Sequence, residues 1–176
     1  MQAQHLVVTA VGTDRPGLVK ELAAAIHAAG ANLEDSRMAI LGGEFALIAL
    51  VTGPAAAIAA AGQALGGLEQ RLGLRIVARP TVRAEQARPF LLFRLDVTGV
   101  DRPGIVETVS QVLVGHGVNV AALESRVRYA PLSGTPMFVL EAELQVPSET
   151  ALGELRRALA DACEADNLDF SLVAVR

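Results

Sequence analysis

Eight residues, GTDRPGLV at positions 12–19, return 87 positions later as GVDRPGIV at positions 99–106. A second pair keeps the same spacing, since GANL at 30–33 corresponds to GVNV at 117–120. An internal match at constant spacing is the signature of a repeated structural unit. The sequence therefore predicts that the chain is built from two copies of one unit.

Past the second motif the two copies are harder to align. We align SR at 36–37 with SR at 125–126, which requires two inserted residues, and Phe45 with Phe138 after a longer loop. The second copy is therefore predicted to carry extra residues both before its SR pair and in the loop around 131–136.

Hydrophobic periodicity predicts the elements of the first copy. A short apolar run predicts a buried strand that ends at Gly12. Helical spacing of apolar residues predicts a helix that begins at Pro16 and is capped by Gly30, and the pair Gly42-Gly43 predicts a tight hairpin. The predicted strands lie at 5–11, 33–41, 44–51 and 74–79, and the predicted helices at 16–29 and 54–72.

The second copy has the same predicted order, with elements at 90–98, 103–116, 120–128, 137–146, 148–165 and 168–175. The order β-α-β-β-α-β is that of the ferredoxin-like fold, an α+β plan with two helices on one face of an antiparallel sheet. We expect one domain at 1–80, a linker at 81–89 and a second domain at 90–176. We also expect the two domains to pair side by side, because this would cover sheet edges that otherwise invite aggregation.

Composition excludes several classes of protein. The 176 residues are 52% apolar and 19% charged, which predicts packed domains, and the net charge is −4. Residues 1–80 carry six basic and six acidic side chains, and residues 81–176 carry nine and thirteen, so neither half has the basic excess that direct nucleic-acid binding needs. The uncharged stretch 45–68 is long enough to span a bilayer, but Thr52-Gly53-Pro54 divides it into a predicted strand and helix.

The repeated Asp-Arg-Pro-Gly turn has the chemistry of a small-ligand site. At the start of a helix, free backbone amides and the helix dipole favour an anion such as a carboxylate. Gly17 would let a ligand approach the backbone, Arg15 could hold an anion, and the Asp14 carboxylate could accept from an ammonium group. The turn therefore predicts a site for an amino-acid zwitterion, and the second copy repeats it.

Two other interpretations remain open for these residues. An aspartate two positions before a proline is often only a helix cap, and duplication alone would preserve two copies without any ligand. The residues Asn32 and Asn119, which follow the helix-ending glycines, are typical turn residues. Their amides can nevertheless both donate and accept, so either could contact a zwitterion.

Geometry limits how these residues can cooperate. A helix over 16–29 would be about 20 Å long, which separates Asp14 from Asn32. A shared site would therefore be composite, with Asp14 facing Asn119 and Asp101 facing Asn32.

The two motifs together, Gly-x-Asp-Arg-Pro-Gly-(Leu/Ile)-Val opening a helix and Gly-x-Asn before the next strand, resemble the ACT domain over 5–80 and 90–176. The resemblance implies ligand sites at both turns, with an asparagine from the opposite copy completing each. It also implies a transcriptional regulator of glycine metabolism that acts on the glycine cleavage system through a partner regulator. The ligand-binding residues are then Asp14, Arg15, Gly17, Leu18, Asn32, Asp101, Arg102, Gly104, Ile105 and Asn119.

No pattern in the chain predicts catalysis. The three histidines show no metal-ligand spacing, and neither a phosphate-binding loop nor a nucleophile elbow is present. We therefore expect a cytoplasmic, non-enzymatic, homodimeric regulator without cofactor or metal, which binds a small amino acid such as glycine and contacts neither DNA nor membrane. The alternatives are an oligomerising module without ligand, a regulatory subunit of an amino-acid-metabolism enzyme, and a small enzyme using Asp14 or Asp101 as acid or base.

Overall fold

A computed structural model describes residues 3–82 and 89–175, and each of these two ranges forms a compact unit of its own. Both units contain the order β-α-β-β-α-β, with one additional short helix in the first. The first unit consists of β1 (Gln4–Thr13), α1 (Leu18–Ala28), β2 (Asn32–Leu41), β3 (Glu44–Gly53), α2 (Ala55–Gly66), α3 (Glu69–Leu72) and β4 (Leu74–Thr81). The second consists of β5 (Phe90–Val100), α4 (Ile105–Gly115), β6 (Asn119–Tyr129), β7 (Pro136–Pro147), α5 (Leu152–Ala165) and β8 (Leu168–Ala174).

Each unit has one antiparallel four-stranded sheet. The strand order is β2-β3-β1-β4 in the first unit and β6-β7-β5-β8 in the second, so the first and third strands are central. This confirms the predicted pair of ferredoxin-like units. Of the predicted linker 81–89, Thr81 belongs to β4, and positions 83–88 lie outside the described residues.

Strand alternation builds the core of each unit. Along β1 the side chains of Leu6, Val8 and Ala10 are buried, and the helices supply the opposing apolar side chains, such as Leu22 and Ile26 of α1. Every second side chain of a strand faces the helices, and every third or fourth side chain of a helix faces the sheet, so the apolar face of each element is buried against the other. No polar or charged side chain is buried within the described ranges.

Four predicted helix starts are wrong, and one predicted helix is divided in two. The helices α1 and α4 begin two residues after their prolines, because Gly17 and Gly104 have positive φ angles of 98° and 97° that no α-helix contains. Pro54 precedes α2, and the predicted helix 54–72 is broken after the pair Gly66-Gly67, where helix propensity is low. The last helix begins at Leu152 rather than at Ser148.

Strand registers correct the alignment of the two copies. Ser36 lies opposite Ala49 on β3, and Leu123 occupies the matching place opposite Ala142 on β7, so the offset of 87 continues through β2 and β6. Both strands also have an irregularity at matching positions, between Leu33 and Asp35 and between Val120 and Ala122. The SR pairs at 36–37 and 125–126 are therefore not equivalent.

The inserted residues all lie between β6 and β7. Phe45 lies opposite Gly12, and Phe138 lies opposite Gly99, so the predicted match of the two phenylalanines is confirmed. The hairpin between β2 and β3 turns at Gly42-Gly43, where both φ angles are positive as in a type I′ turn. Its counterpart in the second unit is the longer loop 130–135.

Candidate functional site

The Asp-Arg-Pro-Gly sequence forms a turn between the first strand and first helix of each unit. At Gly17 the backbone angles are φ 98° and ψ −9°, and at Gly104 they are 97° and −9°. These values match the third position of a type II turn, in which proline is common at the second position and glycine at the third. The open space around both glycines would accommodate a methyl group, so it is the backbone angle that requires glycine here.

Backbone amides at the start of each helix point toward the turn. The first helical hydrogen bond in α1 joins the Glu21 N–H to the Gly17 carbonyl at 3.0 Å, so the amides of Leu18, Val19 and Lys20 precede it. Amides in this position have no acceptor inside the helix and carry the positive end of its dipole. In α4 the equivalent bond joins Thr108 to Gly104 at 2.9 Å.

A surface cavity of about 250 Å³ lies at the first turn. The side chains of Leu18 and Phe45 are buried and form its floor, whereas Val19 and Met38 are about half exposed. The lining therefore combines one carboxylate, two cationic side chains and an apolar wall. The lining residues are Asp14, Arg15, Gly17, Leu18, Val19, Lys20, Met38 and Phe45.

One carboxylate links two arginines beside this cavity. Glu21 lies 3.4 Å from the Arg15 guanidinium and 2.5 Å from that of Arg71 in α3. The Arg15 contact is long for a hydrogen bond, and Glu21 is shared, so Arg15 retains hydrogen-bonding capacity. No hydrogen bond or ion pair engages the exposed Asp14 carboxylate within the part of the chain described by the structure.

The second turn has the same backbone but different neighbours. Arg102 forms a close ion pair with Asp166, the residue that caps the C-terminal end of α5. The first turn of α4 contains Glu107, at the position where α1 has Lys20. The amide of Asp101 donates to the Pro136 carbonyl at 2.9 Å, as that of Asp14 donates to Gly43 at 3.0 Å.

Comparison with known proteins follows the same division of the chain. Two ACT-domain family models match, one at residues 4–79 and one at 93–160. The glycine cleavage system transcriptional repressor of Escherichia coli (strain K12) is 30% identical over 99% of this chain and 93% of its own length, and that of Shigella flexneri matches to the same extent. The chain belongs to the ACT-domain family. A crystal structure of a protein from Galdieria sulphuraria, 32% identical, superposes with a TM-score of 0.82 and covers 99% of this chain and 100% of that one.

The relationship supports a regulatory, amino-acid-binding role for this tandem ACT protein. In each ACT unit the predicted aspartate, arginine and glycine lie together on the turn, as do the helix-opening Leu18 and Ile105. The side chains of Leu18 and Ile105 are buried and apolar, so the polar group that each offers to a ligand is its backbone amide.

The two asparagines lie far from the turn of their own ACT unit. Asn32 is opposite Thr52, which is opposite His5 near the start of β1, whereas Asp14 follows the end of that strand. Asp14 lies nine positions after His5 along nearly extended chain, a distance of about 30 Å. Asn119 has the matching place in the second unit, where its amide donates to Gln145 at 2.9 Å. A ligand contact by either asparagine stays a prediction.

Four residues that line the first cavity are absent from the predicted site residues, namely Val19, Lys20, Met38 and Phe45. Lys20 was identifiable, since it is the third residue of the helix that follows the turn. Met38 approaches the turn only because β2 is hydrogen-bonded beside β3, and the pairing of Glu21 with Arg71 joins residues 50 positions apart. Neither of these long-range contacts has a local sequence signal.

Outside these turns the structure offers few reactive groups. Burial raises the pKa of the Cys163 thiol, and Asp166 and Asp169 raise it further. In the described ranges 3–82 and 89–175, no three His, Cys, Asp or Glu side chains lie close enough together to hold a metal ion. No helix in those ranges is long and apolar enough to cross a membrane. The uncharged stretch 45–68 forms part of β3, a turn and α2.

Proposed function

We propose that this tandem ACT protein is a non-enzymatic amino-acid sensor that regulates transcription of the glycine cleavage system through a partner regulator. The observation that carries the proposal is the cavity at the first turn, where a carboxylate, a guanidinium and free helix amides converge. The amides and Arg15 match the carboxylate of an amino acid, and Asp14 matches its ammonium group. Glycine is the first candidate ligand, because the related repressors carry the glycine cleavage system in their names.

We propose a partner protein because the chain lacks the excess of basic residues that direct DNA binding needs. Its net charge is −4, and phosphate binding needs clustered positive charge. A gel-shift titration of the chain alone on a 30-bp duplex should therefore give no complex at physiological salt. A shift that weakens steeply with added salt would show direct DNA binding and remove the need for a partner.

We also propose that the protein acts in the cytoplasm as a homodimer. The exposed apolar side chains on the strands and helices, among them Ile40, Ile48 and Val114, are surfaces that association would cover. Sedimentation equilibrium should give a mass twice the 18.3 kDa of one chain. A mass of 18.3 kDa at all concentrations up to about 100 μM, a range typical of weak association, would contradict the dimer.

Calorimetric titration with the common amino acids tests the sensor. We expect saturable binding of glycine or another small amino acid in the micromolar to millimolar range, with a rise in melting temperature because ligand binds only the folded chain. Replacing Asp14 by Asn keeps the shape of the side chain but removes the charge that the ammonium group needs, so affinity should fall about tenfold or more. Asp161→Asn is the matched control, since Asp161 is exposed on α5.

Three results would change the interpretation. If none of the common amino acids binds in the titration, an oligomerising ACT module without ligand is favoured. Equal losses in Asp14→Asn and Asp161→Asn would mean that the affinity follows net charge instead of the turn. Asn119→Ala tests the predicted asparagine contact, and an unchanged affinity would remove Asn119 from the site.

A further inference from the structure

The charged side chains around the two matching turns are not equivalent. The first Asp-Arg-Pro-Gly motif, the first turn of its helix and their ion-pair partners contain three cationic side chains, Arg15, Lys20 and Arg71, and two anionic ones, Asp14 and Glu21. The matching residues of the second unit are one cation, Arg102, and three anions, Asp101, Glu107 and Asp166. The backbone of the turn is the same in both, so the difference lies in the electrostatic potential that a ligand carboxylate would meet.

The two arginines also differ in availability. Asp166 neutralises Arg102 in a one-to-one ion pair. In the first unit, Glu21 serves both Arg15 and Arg71, and its contact with Arg15 is the longer at 3.4 Å. An incoming carboxylate can therefore hydrogen-bond Arg15 without displacing a strong partner, whereas at Arg102 it would have to compete with Asp166.

Lys20 has no evident role in stabilising the fold. It is exposed in the first turn of α1, where the helix dipole disfavours a cation, and the matching Glu107 is placed favourably in α4. Yet Lys20 lines the cavity together with Asp14 and Arg15. A cation that opposes the dipole of its own helix, and faces a cavity, is placed to bind an external anion.

We propose that the two turns have different roles, and that only the first receives the carboxylate of an amino-acid ligand, with Lys20 as the residue that makes the difference. The proposal rests on the proposed amino-acid sensing and specifies its site. The chain then binds one carboxylate-bearing ligand, and the second turn, where acidic side chains outnumber basic ones, does not bind it.

Calorimetric titration of the full chain with glycine tests the number of sites. We expect one glycine per chain and no measurable binding of glycinamide, which keeps the ammonium group but lacks the carboxylate. Lys20→Glu, which copies the residue of the second turn, should weaken glycine binding about tenfold or more, and Lys20→Arg should retain most of it. Glu107→Gln is the matched control and should leave affinity and stoichiometry unchanged.

The single lysine of the chain provides a second readout. Lys20 is the only side-chain amine in the sequence, so acetylation followed by mass spectrometry of its peptide reports on this position alone. Saturating glycine should slow acetylation of Lys20 severalfold. Lys20→Glu removes a cation from a helix N-terminus, so its melting temperature should be unchanged or higher, which separates lost binding from lost folding.

The outcomes distinguish this inference from the function on which it rests. Two glycine molecules bound per chain with similar affinity, or undiminished binding in Lys20→Glu, would overturn the inference and leave the sensor intact. Binding of glycinamide as tightly as glycine would do the same. If neither glycine nor any other common amino acid binds, both the sensor and the inference fail.

Discussion

Replacing Gly17 by Ala should destabilise the first unit by about 1–2 kcal/mol. The residue has φ 98°, a conformation that costs a side-chain-bearing residue about 1–3 kcal/mol. Alanine also lowers the entropy of the unfolded chain, which offsets about 0.4–1 kcal/mol. No atom lies within 4 Å of the added methyl group, so packing contributes nothing, and the remaining difference is backbone conformation.

Urea unfolding followed by far-UV circular dichroism measures this change as a lower transition midpoint at constant m-value. In a unit of 60–100 residues, each kcal/mol of lost stability lowers the melting temperature by about 4–8 °C. Gly104→Ala, with φ 97°, should lower the stability of the second unit by the same amount. Gly17→Asn should cost less than Gly17→Ala, since asparagine tolerates positive φ better.

Gly62→Ala is the control of opposite sign. Gly62 lies within α2, and a methyl group there would meet only Leu6 at 3.9 Å, an ordinary contact. Alanine should therefore stabilise the helix by up to about 1 kcal/mol. If Gly17→Ala and Gly62→Ala both stabilise the protein, the type II turn is not its native conformation and the reasoning fails.

Two further predictions concern buried side chains. Cys163 should resist thiol reagents until the protein unfolds, and rapid labelling of the folded protein at pH 8 would contradict this. Burial raises the pKa of the Cys163 thiol, and Asp166 and Asp169 raise it further. The contribution of the protonated thiol to stability should therefore be complete below the unfolded-state pKa and decline as alkaline pH rises through the folded-state pKa. Leu159→Ala should lower the free energy of unfolding by about 2–5 kcal/mol, because the Leu159 side chain is fully buried. Leu132→Ala, in an exposed loop, should change it by less than about 0.5 kcal/mol. Equal urea midpoints for the two variants would contradict the assigned core.

Much of the fold was accessible from the sequence because the signals were local. The pair Gly42-Gly43 predicted the hairpin, and Gly30 and Gly117 were correctly placed at the ends of their helices, where both have positive φ. The wrong helix start at Pro16 has a physical reason, because the fixed φ of proline suits both the first residue of a helix and the second residue of a type II turn. The conformation of Gly17, which distinguishes the two, is not a property of composition.

The candidate site was predicted only in part, for a different reason. Asp14 and Arg15 belong to a contiguous motif, so sequence reasoning could find them. The approach of Met38 depends on strand pairing, and the sharing of Glu21 between two arginines depends on where α3 packs. The alignment of the two SR pairs also misplaced the inserted residues. It rested on identical residue types, whereas the strand registers keep the offset of 87 through β2 and β6.

The loop between β6 and β7 offers a position for a reporter group. It is closed at its base by a hydrogen bond from the Ala130 amide to the Thr135 carbonyl, and Leu132 at its tip is fully exposed. Extra chain at an exposed hairpin tip is tolerated because it leaves the ladder of the sheet intact. The second repeat has already accepted additional residues here, and Pro136 at the end of the loop accepts a hydrogen bond from the Asp101 amide, so a fluorophore inserted at this tip would report on the second Asp-Arg-Pro-Gly turn from outside the sheet.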